Sequence, residues 1–270
     1  PQCYPNAHIP IHMLIRYPRT PHFVALVLLL CSAPFAADKD FTGASPLNIS
    51  IDHSDGGRES DRQMRNLLEA LQHQGCNAMG NETPNKAPDQ LHFDPTPANK
   101  SALKDQDYRL VARAITLDGK SSMRGAILVH ASTGINQLTA LKGQRIAFVG
   151  KGSATGYQEP VKLLSDAGIT ESWDTYFYAG NHVGAISALL HSDTDVAVAA
   201  EPLAQRWAKY NELSVVAVSD EVETGGWWAH QSAPMDSIAA CVRALETLDR
   251  SELKPFPAWI GSFKSVTPSG

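Results

Sequence analysis

"RIAFVGKGSATGYQEPVKLLSDAG", Arg145 to Gly168, is the stretch that decides the fold. Ile146–Val149 is a continuous apolar run, as a strand needs when both faces of its sheet are covered. It enters a loop with glycines at 150, 152 and 156. The loop leads into a helical pattern from Glu159, stopped by Gly168. Strand, glycine turn and helix in that order form one α/β unit.

The same rhythm extends on both sides. Downstream, "TYFYAG" reads as a strand and "HVGAISALLHS" as a helix; "DVAVAA" is a strand, "EPLAQRWAKY" a helix and "LSVVAVS" a strand. "MDSIAACVRALETL" is a late helix with Ile238, Cys241, Val242 and Leu245 on one face. Upstream, Leu47–Asp52 alternates with period two and reads as a strand. The helix after it carries Met64, Leu67, Leu68 and Leu71 at helical spacing and stops at Gly75. Asn77–Asp89 is polar and reads as a loop. "QLHF", "YRLVARAI" and "RGAILVHA" are further strands, and "INQLTALKG" is a short helix. Such alternation predicts an α/β fold with mainly parallel sheets.

Composition agrees. The 270 residues are enough for two lobes with real cores. Apolar residues make up 43% and charged residues 19%, so the chain is not a disordered one. A net charge of −5 offers no basic surface for nucleic acid. Near the start, Arg16 and Arg19 precede "FVALVLLLCSAPFA", Phe23–Ala36. A positive segment, an apolar core and small residues make a signal peptide over residues 13–37, cut near Ala36 or Ala37. The apolar core is shorter than the roughly 20 residues that span a bilayer. Leu30 before Cys31 does not suit a lipoprotein signal. Cys76 and Cys241 remain after cleavage, either as a disulfide or as two separate thiols.

The glycine loop has three readings. Unpaired N–H groups at a helix start, with the helix dipole, suit an anion. Ser153, Thr155 and Tyr157 add hydroxyls, and Lys151 adds charge. A plain turn capped by Ser153 or Thr155 needs no ligand. A dinucleotide needs an acidic residue at the end of the next strand; "TYFYAG" runs into Gly180-Asn181-His182, without a carboxylate. Ser153 lacks the setting of a hydrolase nucleophile, and no triad or paired carboxylates stand out. His182, Glu201 and Asp94 form no compact metal motif. Trp227 and Trp228 fit either a cleft wall or the core, and His230 reads as a surface residue.

"LKGQRIAFVGKGSATGYQEPVKLLSDAGI" resembles the signature of the periplasmic phosphonate- and phosphite-binding proteins, receptors of ABC transporters. In that family the strand meets a Ser-Thr-Ser-Gly-Tyr loop; here it is Ser153-Ala154-Thr155-Gly156-Tyr157. "YAGNHVGAISALLHSDTDVAVAAE" is also similar, with a histidine at a helix start and an acidic residue ending a strand. "HFDPTPANKSAL" and "RGAILVHASTGINQL" match more loosely. The resemblance implies a type II periplasmic-binding fold, with two α/β lobes and a ligand cleft between them. Lobe one would be residues 45–131 with 218–270, and lobe two residues 132–217. It implies that Ser153 and Thr155 donate to ligand oxygens with the Gly156 backbone nearby and Tyr157 in the same ligand-binding set, that His182 faces the same cleft, that Glu201 sits at a strand's C-terminal end where α/β ligands bind, and that Thr96 reaches in from lobe one. It also implies a small oxyanion ligand, no cofactor, no metal, no catalysis, a monomer, a periplasmic location and an inner-membrane permease as partner. A sensory input domain of the same fold is the alternative, and a dinucleotide-binding enzyme comes third. Ala154 departs from the family by lacking a hydroxyl, and Asp94 stands where glycine is usual.

Overall fold

The computed structural model describes residues 46–52, 61–80, 89–96, 99–169 and 176–267. The expected signal segment, residues 13–37, lies outside them, as does most of the Asn77–Asp89 loop. Among the described residues no helix is long and apolar enough to cross a membrane.

The chain builds β1 (Leu47–Ile51), α1 (Asp61–His73), β2 (Ala78–Gly80), β3 (Leu91–Asp94), α2 (Lys100–Asp105) and β4 (Tyr108–Thr116). It continues with β5 (Ser122–Met123), β6 (Gly125–His130), β7 (Ile146–Phe148), α3 (Glu159–Asp166), β8 (Tyr176–Tyr178), α4 (His182–Leu190) and β9 (Val196–Ala200). Then come α5 (Glu201–Tyr210), β10 (Leu213–Val218), β11 (Val222–Glu223), β12 (Gly226–His230), α6 (Met235–Glu246) and β13 (Ile260–Ser265). The strands form two sheets, β13-β4-β12-β3-β1-β2 and β10-β6-β9-β7-β8, plus the small ribbon β5–β11.

The second sheet explains the apolar runs that mark it. In β6, Ala126 and Leu128 pack with Ile186, Leu189 and Leu203 on one face. Ile127 and Val129 point the other way, onto Phe148, Leu164 and Val198. Successive side chains alternate across a strand, so a strand covered twice must be apolar throughout. The first sheet is centred on Phe93, whose ring meets Trp227, Phe256 and Phe263 at 5.0–5.7 Å. Trp227 is therefore core, and Trp228 is buried beside it. Cys76, just after α1, and Cys241, on α6, are joined in a disulfide inside this core, which closes the alternative left open by the sequence.

Two expectations change. The sheets are mixed rather than mainly parallel. Pairs β1–β2, β1–β3, β7–β8 and β7–β9 are parallel, whereas β6, β10, β12 and β13 pair antiparallel. The cause is the route of the chain. Leu117–Arg124 carries it from the first sheet to the second and Ser219–Gly225 brings it back, so β6 and β12 each enter their sheet against the strands that end at that edge. Second, β6 hydrogen-bonds to β9 and β10 in the second sheet. The first passage thus lies before Gly125, not after Ala131 as the expected boundary had it.

This topology aligns the edges. β1, β3 and β4 all end at the edge where the chain leaves the first sheet. β7, β8 and β9 all end at the corresponding edge of the second, beside the start of β6 and the end of β10.

Candidate functional site

At its C-terminal edge the second sheet presents three helix starts side by side. β7 leads to the glycine loop and α3, β8 to α4, and β9 directly to α5. Each start offers N–H groups without intrahelical acceptors and the positive end of a helix dipole. Ligands of open α/β sheets gather at such an edge.

The glycine loop closes on itself. Ala154–Gln158 form a π turn, a form often met at functional sites. The Gln158 N–H donates to Ser153 O (3.0 Å) and the Val149 N–H to Gly156 O (3.1 Å). Ser153 caps the turn, its Oγ accepting the Gly156 N–H at 2.8 Å. The Gly156 N–H is therefore used inside the loop. A Cβ at Gly156 would run into Val149 and would lie 2.7 Å from Ser153 Oγ, so glycine is needed there for packing. Ala154 is buried in the same turn, while Lys151 lies exposed.

Thr155 differs from its neighbours. It is wholly buried, and its Oγ1 has no hydrogen-bond partner among the described residues. Leaving such a group unmet costs about 1–3 kcal/mol. Tyr157 turns instead toward β8, its ring 5.2 Å from Phe148 and 5.8 Å from Tyr178. Burial, then the hydrogen bond with Tyr157, pushes the Tyr178 hydroxyl well above the usual tyrosine range.

His182 opens α4 behind Asn181, whose Oδ1 accepts the Gly184 N–H at 2.7 Å. The imidazole is buried, and its Nδ1 accepts the Ala200 N–H at 3.1 Å. That bond takes the Nδ1 lone pair, so the proton of the neutral ring sits on Nε2 as a donor. Glu201 follows Ala200 at the start of α5, and its N–H donates to Arg124 O at 2.8 Å. Lys120, in the first passage, holds its proton more tightly because Asp118 accepts from it, with Glu201 adding to the effect.

Thr96 and Asp94 belong to the first sheet, at the end of β3. Asp94 is buried; Oδ1 accepts the Thr96 N–H at 2.7 Å and Oδ2 the Asn99 side-chain N–H at 2.9 Å. Burial raises its pKa, and these two bonds offset only part of that. Both of its carboxyl oxygens are thus engaged within the turn that holds Thr96.

Ser153, Thr155, Gly156, His182 and Glu201 therefore share one edge, Thr96 lies at the end of β3 in the first sheet, and Tyr157 sits beside the loop. His230 bonds to Ser232. No group of three or more His, Cys, Asp or Glu placed to hold a metal occurs among the described residues. The cap at Asn181 has a signal in the sequence, an asparagine just before an apolar helix.

A family model described as "ABC transporter, phosphonate, periplasmic substrate-binding protein" matches residues 68–269. No curated protein matches the sequence. Among solved structures, PhnD1 from Prochlorococcus marinus, in complex with methylphosphonate, is similar with a TM-score of 0.61 and 15% identity, covering 82% of this chain and 93% of that one. The binding-protein component of an ABC phosphonate transporter from Pseudomonas aeruginosa has a TM-score of 0.57 and 14% identity, over 83% and 82% of the two chains. A protein from Xanthomonas citri bound to ATP has a TM-score of 0.53 and 15% identity, over 84% and 93%. These likenesses fix the fold as that of type II periplasmic binding proteins. Together with a family match over most of its length, they mean that the chain belongs to the periplasmic substrate-binding proteins of phosphonate ABC transporters.

Proposed function

We propose that this receptor binds a phosphonate, phosphite or closely related small oxyanion between its two sheets and presents it to an inner-membrane permease. The observation that carries the reading is Thr155 Oγ1, a buried hydroxyl with no partner among the described residues, in a turn at the start of a helix. A ligand oxygen would meet it. Ser153, the N–H groups that open the turn, and the Nε2–H of His182 are further donors. Glu201 would accept from a donor elsewhere on the ligand, and Thr96 would close the site from the first sheet. Tyr157 would border it. Gly156 serves by packing the turn rather than through its N–H.

On this reading the protein acts as a monomeric receptor, not as an enzyme, and is exported with cleavage near Ala36 or Ala37. A dinucleotide fits poorly, because the strand after the loop ends at Tyr178 and is followed by Asn181 rather than a carboxylate. Titration calorimetry of the purified protein with methylphosphonate, phosphite, phosphate and methanesulfonate tests the reading. Binding of a phosphonate or phosphite in preference to the sulfonate is the expected result. No heat with any of the four would overturn it.

A further inference from the structure

The passage from the first sheet to the second ends at Arg124, Gly125 opens β6 beside it, and the pair meets both the glycine loop and the start of α5. Arg124 O accepts the Glu201 N–H. Gly125 lies in register with Ala200, whose N–H holds His182 Nδ1. Gly125 also clasps the return passage: its N–H donates to Ser219 Oγ at 2.9 Å, and its carbonyl accepts the Ser219 N–H at 2.8 Å.

The contact with the glycine loop is the tightest of these. A Cβ at Gly125 would press on the Thr155 carbonyl oxygen and lie 2.5 Å from Pro160 Cγ and 2.9 Å from Pro160 Cδ. One obstacle is backbone and the other a rigid ring, so neither can give way without moving the loop. Gly225 on the return passage is placed alike, with its Cβ position against Asp94 O and 2.5 Å from the Pro95 carbonyl carbon. That is the turn leading to Thr96.

We infer that Gly125 is a positioning residue for the oxyanion turn: its bare backbone is the seat that sets where Thr155 and Ser153 stand relative to His182 and Glu201. The inference rests on reading Ser153–Thr155 as the anion site. It seats the loop on the first residue of β6, directly after the passage Leu117–Arg124.

The test uses Gly125→Ala, with Gly80→Ala as a control whose added methyl meets only ordinary side-chain contacts. With methylphosphonate or phosphite as probe, Gly125→Ala should lower affinity ten- to hundredfold and Gly80→Ala by less than twofold. Thr155→Val, which weakens the parent, should cost less than twofold more in the Gly125→Ala background, because the displaced hydroxyl no longer serves. A purely structural glycine would leave the two losses multiplicative. That result, or parent-like binding of Gly125→Ala, overturns the inference.

Hydrogen exchange of the ligand-free protein is an arm that needs no ligand. The Val149 amide, held by Gly156 O, should exchange at least tenfold faster in Gly125→Ala, with the Ala197 amide unchanged. If the parent binds no oxyanion, the function proposed above fails, and the Val149 rate alone decides this inference: faster exchange upholds it, an unchanged rate overturns it. Should Gly125→Ala fail to fold, Ser219→Ala opens the clasp without added bulk. The same directions in affinity and exchange are then expected, and parent-like values in both would overturn the inference.

Discussion

A buried hydroxyl without a hydrogen-bond partner costs about 1–3 kcal/mol, and Thr155 has none for its Oγ1 among the described residues. Replacing it with valine, of nearly the same shape, should therefore act in opposite directions on two readouts. Thr155→Val should raise the melting temperature of the ligand-free protein. It should also weaken phosphonate or phosphite binding by about ten- to hundredfold, the loss of one hydrogen bond to a charged group. Ser153→Ala should weaken binding too, but with a lower melting temperature, because it removes a cap of about 1 kcal/mol that holds the Gly156 N–H. Differential scanning fluorimetry and calorimetry on the same samples separate the two. Asp94 gives a pH signature. Burial lifts its folded-state pKa above the ordinary 3.8. The folded form then binds the proton more tightly than the unfolded chain, so this contribution is complete below pH 3.8 and is lost as pH rises through the folded value. Asp94→Asn removes the titration. Relative to the parent, its stability by urea unfolding should improve as pH rises from about 4 toward neutrality.

At the scale of elements, the Cys76–Cys241 disulfide ties the α1–β2 connection to α6 across 165 residues of sequence. Cys76→Ser with Cys241→Ser should lower stability by about 2–4 kcal/mol, seen as a lower urea midpoint. Both cysteines are completely buried, so the thiols of the reduced folded protein should resist alkylation until it unfolds. The pairing could not be read from the sequence, because spacing says nothing of which distant elements pack together. The strand–turn–helix at 145–168 was legible, since its signals are local: a doubly buried strand, glycines, and a proline in the first turn of α3. α5 was legible for the same reason, with Pro202 in its first turn. The strand Gly226–His230 was missed because its two tryptophans fit a cleft wall as well as a core; only pairing with β3 and β4 decides between them. β2 is three residues long, too short for any period to register. Of the candidate site, the hydroxyls, His182 and Glu201 were visible as residue types after strands. The inward turn of Asp94 and the seat at Gly125 depend on contacts between segments far apart in sequence.

For the whole molecule, the proposed function has donors on the second sheet and Thr96 on the first share one small ligand, which a hinge closure of the kind many binding proteins use would bring about. Small-angle scattering should give a smaller radius of gyration with saturating methylphosphonate than without it; equal values would favour a rigid site. The bending must fall in Leu117–Arg124 and Ser219–Gly225, the two passages between the sheets. In a Gram-negative host the protein should be recovered from the periplasm, shortened near Ala36 or Ala37, as N-terminal sequencing would reveal.

The interleaved path of the chain also imposes an order in time. β12 lies between β3 and β4 in the first sheet, and β13 flanks β4, yet both leave the ribosome after the entire second sheet. During synthesis and export, β1, β3 and β4 must wait with their apolar faces uncovered while a complete neighbouring unit is made between them and their partners. The second sheet, contiguous from Gly125 to Val218, has no such delay and can assemble first. The opening half of the first sheet is thus the long-lived sticky species of this protein's biogenesis, the form that a holding chaperone would meet and that the disulfide can lock only once Cys241 has arrived.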